Sequence, residues 1–123
     1  MSAAGAHWRW QREPARDDEV VVVISNAPDE QTALRIARAL VEEGLAACVN
    51  VLPPCHSIYR WQGEVEQAQE FALLAKTVAA KAAQLGARLA ELHPYEVPEA
   101  IAVPVTSGLQ AYLDWVVAST KGR

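Results

Sequence analysis

The sequence predicts one α+β domain with a ferredoxin-like, split βαβ sandwich and an added C-terminal helix. Three observations favour this fold class: a β-branched run at 20–24, two stretches with apolar residues at helical spacing, and a Gln-Gly pair at 62–63 between two strand-like segments. The expected order is strand, helix, strand, strand, helix, strand, helix. The length of 123 residues and the hydrophobic share of 51% suit a single globular core.

The first third of the chain predicts a buried strand followed by an amphipathic helix. Residues 20–24 form a continuous β-branched run, which is typical of a strand buried on both faces. Asp29 is a candidate N-cap and Gly44 supplies a C-terminal stop, so we expect the helix between them. Its apolar residues recur at helical spacing: Ala33, Ile36, Ala37, Leu40 and Val41.

The middle of the chain predicts a long β-hairpin. Apolar strand character resumes at 45–52, bends at the prolines 53–54 and continues over 57–61. The composition of 64–77 favours a helix, because Glu, Gln and Ala are good helix formers. However, the Gln-Gly pair at 62–63 can take the positive φ of a tight turn, and the chain must then pair back along the previous strand. The turn favours a strand at 64–77, but the residues alone leave the helix open.

The last third predicts a helix, a strand and a short closing helix. The apolar residues of the first helix step by four, three, four and three: Val78, Ala82, Leu85, Leu89 and Leu92. Residues 100–105 form the last predicted strand, and 109–117 form the closing helix after Gly108. The long hairpin of the middle segment leaves unpaired strand edges, which pairing with another subunit would satisfy.

The N-terminal residues 1–18 show no periodicity, so we expect a mobile extension before a domain at 19–123. Trp8 and Trp10 oppose this interpretation, because two tryptophans in a tail could dock on the domain or on a neighbouring subunit. Both possibilities stay open at the level of the sequence.

Composition argues against several functional classes. A net charge of −4 without a dense Lys/Arg cluster argues against binding of nucleic acid. No apolar run reaches the roughly 20 residues that span a bilayer, and no signal peptide is expected, so we expect no membrane partner. Cys48 and Cys55 lack CxxC spacing and are expected to be reduced thiols of a cytoplasmic protein. Nucleophile-elbow, phosphate-loop and zinc-hydrolase motifs are missing, so we expect no enzyme.

Two stretches carry the most specific information, 57–63 and the proline-stiffened segment 93–99. With four further motifs in a fixed order they make the chain resemble the CutA family of divalent-cation tolerance proteins over about 20–119. The resemblance also favours a strand at 64–77. In order the motifs are VVVVI and APDE at 20–30, LAACVN at 45–50, SIYRWQG at 57–63, KT at 76–77, HPYEVPE at 93–99 and YLDW at 112–115.

The resemblance implies a homotrimer of ferredoxin-like subunits, similar in architecture to the PII signalling proteins. It also implies a role in the response to metal ions, with copper or another divalent cation bound and no organic cofactor. The expected partners are further copies of the chain and the cation. Copper sites in the family are associated with a Cys in the first strand and a His pair before Pro-Tyr. Here Ser25 and Leu92 occupy two of those positions, and His93 alone remains.

Metal binding needs N, S or O donors that converge, and the sequence offers four candidates: His93, Glu96, Cys55 and His56. The alternative for His93 is a hydrogen-bonded structural residue, and the alternative for 55–56 is an ordinary surface loop. Cys48 lies in an apolar strand, where we expect a small core residue.

A second group of residues combines aromatic bodies with polar tips, which suits either a ligand pocket or a subunit interface. Its members are Tyr59, Trp61, Lys76, Tyr95, Glu99 and Trp115. Two alternatives to cation tolerance therefore stay open. One is a PII-like trimeric scaffold that binds a small molecule or protein at the subunit interface, and the other is a structural trimerisation module.

Overall fold

The computed structural model describes residues 7–121 and contains eight helices and strands, because the predicted strand that bends at the prolines 53–54 is divided there into two; the order is otherwise as predicted. An antiparallel sheet with three helices confirms the α+β class. None of these helices, within the described residues, is long and apolar enough to cross a membrane. The elements are β1 Val20–Ala27, α1 Glu30–Glu42, β2 Cys48–Val51, β3 Cys55–Trp61, β4 Glu64–Val78, α2 Ala79–Leu92, β5 Ile101–Pro104 and α3 Gln110–Thr120.

The sheet has the order β2-β4-β1-β5, and β3 pairs with β4 outside this path. β4, with 15 residues, is long enough to take different partners along its length. Its second half pairs with β1 and β2, whereas its first half pairs with β3 from Trp61↔Glu64 to Cys55↔Glu70. The β3–β4 ribbon, defined as Cys55–Trp61 with residues 64–70, therefore projects from the sheet as two strands.

The turn of this ribbon has the geometry that its sequence predicts. Gln62 has φ 50° and Gly63 has φ 84°, and two successive positive φ values are the mark of a type I′ hairpin turn. Such a turn returns the chain antiparallel to β3, which confirms the strand interpretation of 64–77. Turn chemistry and cross-strand pairing therefore override the helix propensity of Glu, Gln and Ala in this segment.

Both predicted ends of α1 are confirmed. The Asp29 side chain accepts a hydrogen bond from the Thr32 amide at 2.8 Å, which caps the first turn. At the other end Gly44 has φ 74°, and the Leu45 amide donates to the Leu40 carbonyl at 2.9 Å, as in a Schellman motif.

Helices α1 and α2 cover one face of the sheet and build the main core. The positions of β1 that face them are buried, and so are the apolar faces of both helices. One prediction for α1 is wrong: Val41 is 41% exposed, because it lies beyond the edge of the stripe that ends at Leu40. The largest fully buried apolar side chains of this cluster are Val21, Val23, Ile36, Leu40, Leu73, Leu85 and Leu89.

The other sheet face is only partly covered by α3. Val20 of β1 is buried beside Val116 of α3. However, Val22 and Ile24 on the same face are half-buried within one chain, so the prediction of burial on both faces holds fully only for the face under α1 and α2. Ile58 and Val65 of the ribbon are 70% and 65% exposed. A two-stranded ribbon with exposed apolar side chains is marginal by itself in water, which favours coverage by a partner.

The N-terminal segment contains a contact that opposes a wholly mobile extension. Residues 1–6 lie outside the described part of the chain. Trp8 and Trp10 pack against the main core, with their rings edge to face and their centroids 5.9 Å apart. The docking alternative is therefore the one that the structure shows for these two side chains. The domain boundary at residue 19 stays a prediction.

Candidate functional site

A cleft of about 770 Å³ lies between the β3–β4 ribbon and the turn that follows α2. Its floor comes from one face of the ribbon, and its wall comes from the segment 94–99 together with the end of β1. The cleft gathers most of the polar and aromatic residues that the two informative stretches contain. Its polar and aromatic lining consists of Asn26, Ser57, Tyr59, Trp61, Glu66, Glu70, Tyr95, Glu96 and Glu99.

The floor of the cleft is fixed by the register of the ribbon. Tyr59 is directly opposite Glu66, and Cys55 is directly opposite Glu70. Residues that face each other across an antiparallel pair share one side of the sheet, as do alternate residues along a strand. Tyr59, Trp61, Glu66 and Glu70 therefore line the same surface.

The wall of the cleft depends on His93, which is 7% exposed and engages both ring nitrogens. Its Nε2 lies 2.6 Å from the Asn26 carbonyl oxygen, and its Nδ1 accepts a hydrogen bond from the Tyr95 amide at 3.1 Å. Because a carbonyl can only accept, Nε2 carries the proton and the ring is the neutral tautomer. No ring nitrogen is then available to a metal ion. The alternative of a hydrogen-bonded structural role is the one that the geometry supports.

Two further hydrogen bonds fasten the turn to the sheet. The Asn26 side-chain amide donates to Glu99 at 2.8 Å, and the Tyr95 hydroxyl donates to Glu70 at 2.8 Å. These bonds tie the turn to the end of β1 and to the middle of β4. Pro94 and Pro98 reduce the conformational freedom of the turn before it docks, so the wall is rigid.

The cleft has a negative electrostatic field. Four of its lining residues are glutamates, and no lysine, arginine or histidine of residues 7–121 lines it. Burial raises the pKa of Tyr95 well above its usual range, and the hydrogen bond to Glu70 and the charge of that carboxylate raise it further. A phenol held neutral beside carboxylates can donate a hydrogen bond but does not balance their charge. The cleft therefore favours a cationic ligand.

Replacing Tyr95 with phenylalanine should lower the free energy of unfolding by about 1 kcal/mol, because Glu70 is 8% exposed and loses its phenolic donor. The effect should depend on pH. The fold raises the pKa of Tyr95 from its ordinary value of 10.0. The contribution of the Tyr95 hydroxyl to the free energy of unfolding is therefore complete below pH 10 and is lost as the pH rises above that value. Urea unfolding at pH 8 and pH 10.5 measures both effects. Equal pH dependence in parent and variant would contradict this role.

The four predicted metal ligands do not form one site. Among residues 7–121 no three His, Cys, Asp or Glu side chains are grouped so that they could hold a metal ion. Cys55 and His56 are consecutive residues of β3 and therefore project from opposite faces of the strand. His93 is engaged through both nitrogens, and only Glu96 lines the cleft. For Cys55, His56 and Glu96 the assignment as a metal ligand stays a prediction, and the hydrogen bonds of His93 favour its structural alternative.

Two of the predicted ligand or interface residues lie away from the cleft. Lys76 is paired with Cys48 across β4 and β2, and its ammonium group contacts the Asn50 side chain, to which the Cys48 thiol also donates at 3.9 Å. Cys48 is thus half-buried and hydrogen-bonded and does not belong to the core. Trp115 of α3 is nearly half exposed and contacts the Tyr112 ring, with centroids 5.6 Å apart.

The sequence analysis missed Asn26, Glu66 and Glu70 as cleft residues. Counting back from the turn at 62–63 would have placed Glu66 opposite Tyr59, so this signal was present. Asn26 carries no comparable signal, because it reaches the site through contacts with residues far along the chain. Ser25 faces the core, 1% exposed, with a buried hydroxyl that has no hydrogen-bond partner among the described residues.

These features define a small α+β protein with a rigid, acidic cleft beside a projecting ribbon. The family described as CutA1 divalent ion tolerance protein matches residues 21–119, and the chain belongs to this family. The chain is 52% identical over 99 residues to the divalent-cation tolerance protein CutA of Thermus thermophilus, covering 80% of this chain and 96% of that protein. The family is described by tolerance of divalent cations and not by a catalytic activity.

Solved structures show the same fold. The crystal structure of CutA from Xylella fastidiosa has a TM-score of 0.82 at 48% identity and covers 84% of this chain and 99% of that chain. A structure from Archaeoglobus fulgidus, described as a periplasmic divalent cation tolerance protein, has a TM-score of 0.80 at 36% identity and covers 83% of this chain and 99% of that chain.

Proposed function

We propose that this chain acts in divalent-cation tolerance as a non-catalytic homotrimer whose acidic cleft attracts a hydrated divalent cation by charge, since no three carboxylates of residues 7–121 are grouped as a preformed ligand set. The observation that carries the proposal is the cleft lining, which has four glutamates and no basic side chain among the described residues. Membership of a divalent ion tolerance family supports the general role. The cleft supplies a place where the cation would gather.

The donor chemistry favours hard cations. Glu66 and Glu96 line the cleft and make no hydrogen bond or ion pair with any residue of 7–121, so all four of their oxygens are available. Glu70 and Glu99 each have one oxygen engaged. Carboxylate and water ligands suit Mg²⁺, Ca²⁺ or Mn²⁺, whereas copper prefers the imidazole and thiolate donors that are scattered here. We expect weak binding that retains several waters.

The homotrimer is supported by the surfaces that a single chain leaves uncovered. The β3–β4 ribbon has only two strands, and its Ile58 and Val65 are largely exposed. On the open face of the sheet, Ile101 and Val103 of β5 are exposed as well. The strand order β2-β4-β1-β5 is compatible with a ferredoxin-like, PII-like subunit, for which closed cyclic assembly would cover these edges.

Calorimetric titration with Mn²⁺ tests the cation site. Replacing both Glu66 and Glu96 with glutamine keeps the shape of the cleft and removes two charges, so we expect at least a tenfold loss of affinity, or about 1.4 kcal/mol. Glu42→Gln, on the exposed end of α1, is the matched control and should bind as the parent does. Undiminished Mn²⁺ affinity in the double variant would contradict the proposal.

A small organic cation at the same cleft is the second candidate, and it corresponds to the PII-like scaffold. The aromatic rings of Tyr59, Trp61 and Tyr95 favour it, since ring faces attract cations. The volume of about 770 Å³ also lies within the range of small-molecule sites. A diamine that competes with Mn²⁺ and loses affinity in Trp61→Ala would support it. If no ligand shows measurable binding, the structural trimerisation module would be favoured.

A cytoplasmic location is part of the same proposal. Its support is that Cys48 and Cys55 are both free thiols. Because the Archaeoglobus fulgidus neighbour is described as periplasmic, the location needs its own test. Cell fractionation of the full chain should recover it with cytoplasmic markers, and recovery in a periplasmic extract would overturn this point.

A further inference from the structure

The N-terminal residues 7–14 line a cavity together with β5, and His7 and Trp8 line another together with α2. A Cβ atom built on Gly86 would lie 2.7 Å from Cε3 and 2.8 Å from Cζ3 of the Trp8 ring. Carbon atoms do not approach so closely without displacement, so the indole occupies the space that any larger side chain at position 86 would need. The Trp8 ring can therefore lie in this position only because residue 86 has no side chain.

Gly86 stands in the middle of α2, where glycine is disfavoured. Alanine is a much better helix former, and it occupies six of the fourteen positions of this helix. A glycine inside a helical pattern has a packing reason in most cases, and here the reason is the indole. The Trp8 N–H is buried without a hydrogen-bond partner among residues 7–121, so the contact rests on apolar packing of the ring.

The same segment stands behind the functional turn. His7 and Trp8 form one side of a cavity of about 550 Å³, together with small residues of α2. The other side is the segment 93–98, the turn that forms the wall of the acidic cleft. His7 and Trp8 thus line the same cavity as the turn that carries Tyr95 and Glu96.

We propose that residues 7–14 form a strap, which Trp8 anchors on Gly86, and that this strap stiffens the 93–98 turn. The strap precedes the family match, which begins at residue 21. The Thermus thermophilus relative aligns over 96% of its own length but over only 80% of this chain. The strap is therefore an addition to the matched domain, and its role holds whether or not the cleft binds a cation.

A double-mutant cycle in the full chain tests the anchor. With Trp8 present, Gly86→Ala places a methyl group against the ring and should lower the Tm by about 3 °C or more. With Trp8→Ala the space is free, so the better helix former should raise the Tm when Gly86→Ala is added. Opposite effects of Gly86→Ala on the Tm in the two backgrounds are expected only if the Trp8 ring packs on Gly86. A rise of the Tm in both backgrounds would overturn the proposal.

Amide hydrogen exchange tests the stiffening of the turn. Trp8→Ala should increase the exchange rate of the Tyr95 amide about fivefold or more, because the turn loses its backing. Arg9→Ala, an exposed neighbour, is the matched control and should leave that rate unchanged. Should Trp8→Ala fail to fold, Trp8→Phe gives a smaller change of the same sign. An unchanged Tyr95 rate in a folded Trp8 variant would show that the strap does not act on the turn.

Discussion

Replacing both Ile58 and Val65 with aspartate should convert the proposed trimer to monomers. The two side chains are 70% and 65% exposed in one chain and lie on the same face of the β3–β4 ribbon, diagonal to each other across the strand pair. Each apolar side chain of this size contributes about 1.5 to 3 kcal/mol when it is fully buried, and the substitution adds charges at a covered surface. Light scattering should give three times 13.4 kDa for the parent and 13.4 kDa for the variant.

A matched control separates assembly from general surface charge. Leu34 of α1 is also largely exposed, but it lies on the helical side of the molecule, away from the ribbon. Leu34→Asp should leave the mass unchanged. A monomeric parent at micromolar concentration would contradict the proposed assembly, and a trimeric double variant would exclude the ribbon as its interface.

Replacing His93 with alanine should lower the free energy of unfolding by about 3 kcal/mol, and it should reduce the divalent-cation affinity less than the double replacement of Glu66 and Glu96 does. The imidazole bridges the Asn26 carbonyl and the Tyr95 amide in a largely buried position, so its removal leaves two backbone groups without partners. Each such group costs about 1 to 3 kcal/mol. Urea unfolding at fixed protein concentration measures the loss, and Mn²⁺ titration under native conditions measures the affinity.

His56 provides the control for this substitution. It is exposed on β3, so His56→Ala should change stability by less than about 0.5 kcal/mol. A His93→Ala variant that is as stable as the parent but no longer binds cations would reverse the assignment. His93 would then be a metal ligand in spite of the hydrogen bonds that engage both nitrogens.

The elements that local chemistry determines could be predicted from the sequence. Asp29 and Gly44 mark the two ends of α1 as expected, because capping depends on residues within a few positions. The positive φ values of the turn at 62–63 likewise determine the ribbon and the pairing of Tyr59 with Glu66. The floor of the cleft therefore follows from the conformation of the turn at 62–63.

The rest of the site depends on contacts between distant parts of the chain. His93 binds a carbonyl oxygen 67 positions away, and Tyr95 binds a carboxylate 25 positions away. Neither the Asn26 carbonyl nor the Glu70 carboxylate lies in a sequence pattern that would identify it as a partner. An imidazole next to proline and glutamate has the same sequence whether its nitrogens are free or engaged, so the sequence leaves both a metal ligand and a structural residue open for His93.

The most direct test of the proposed function is an anomalous scattering measurement on crystals of the full chain soaked with Mn²⁺. The central claim is that the glutamates of the cleft, and not His93 or the 55–56 pair, attract the cation. We expect an anomalous peak inside the cleft, within reach of Glu66 and Glu96, that is lost when both are replaced with glutamine. A peak at Cys55 and His56 or at the His93 ring, or no peak at saturating Mn²⁺, would contradict the account.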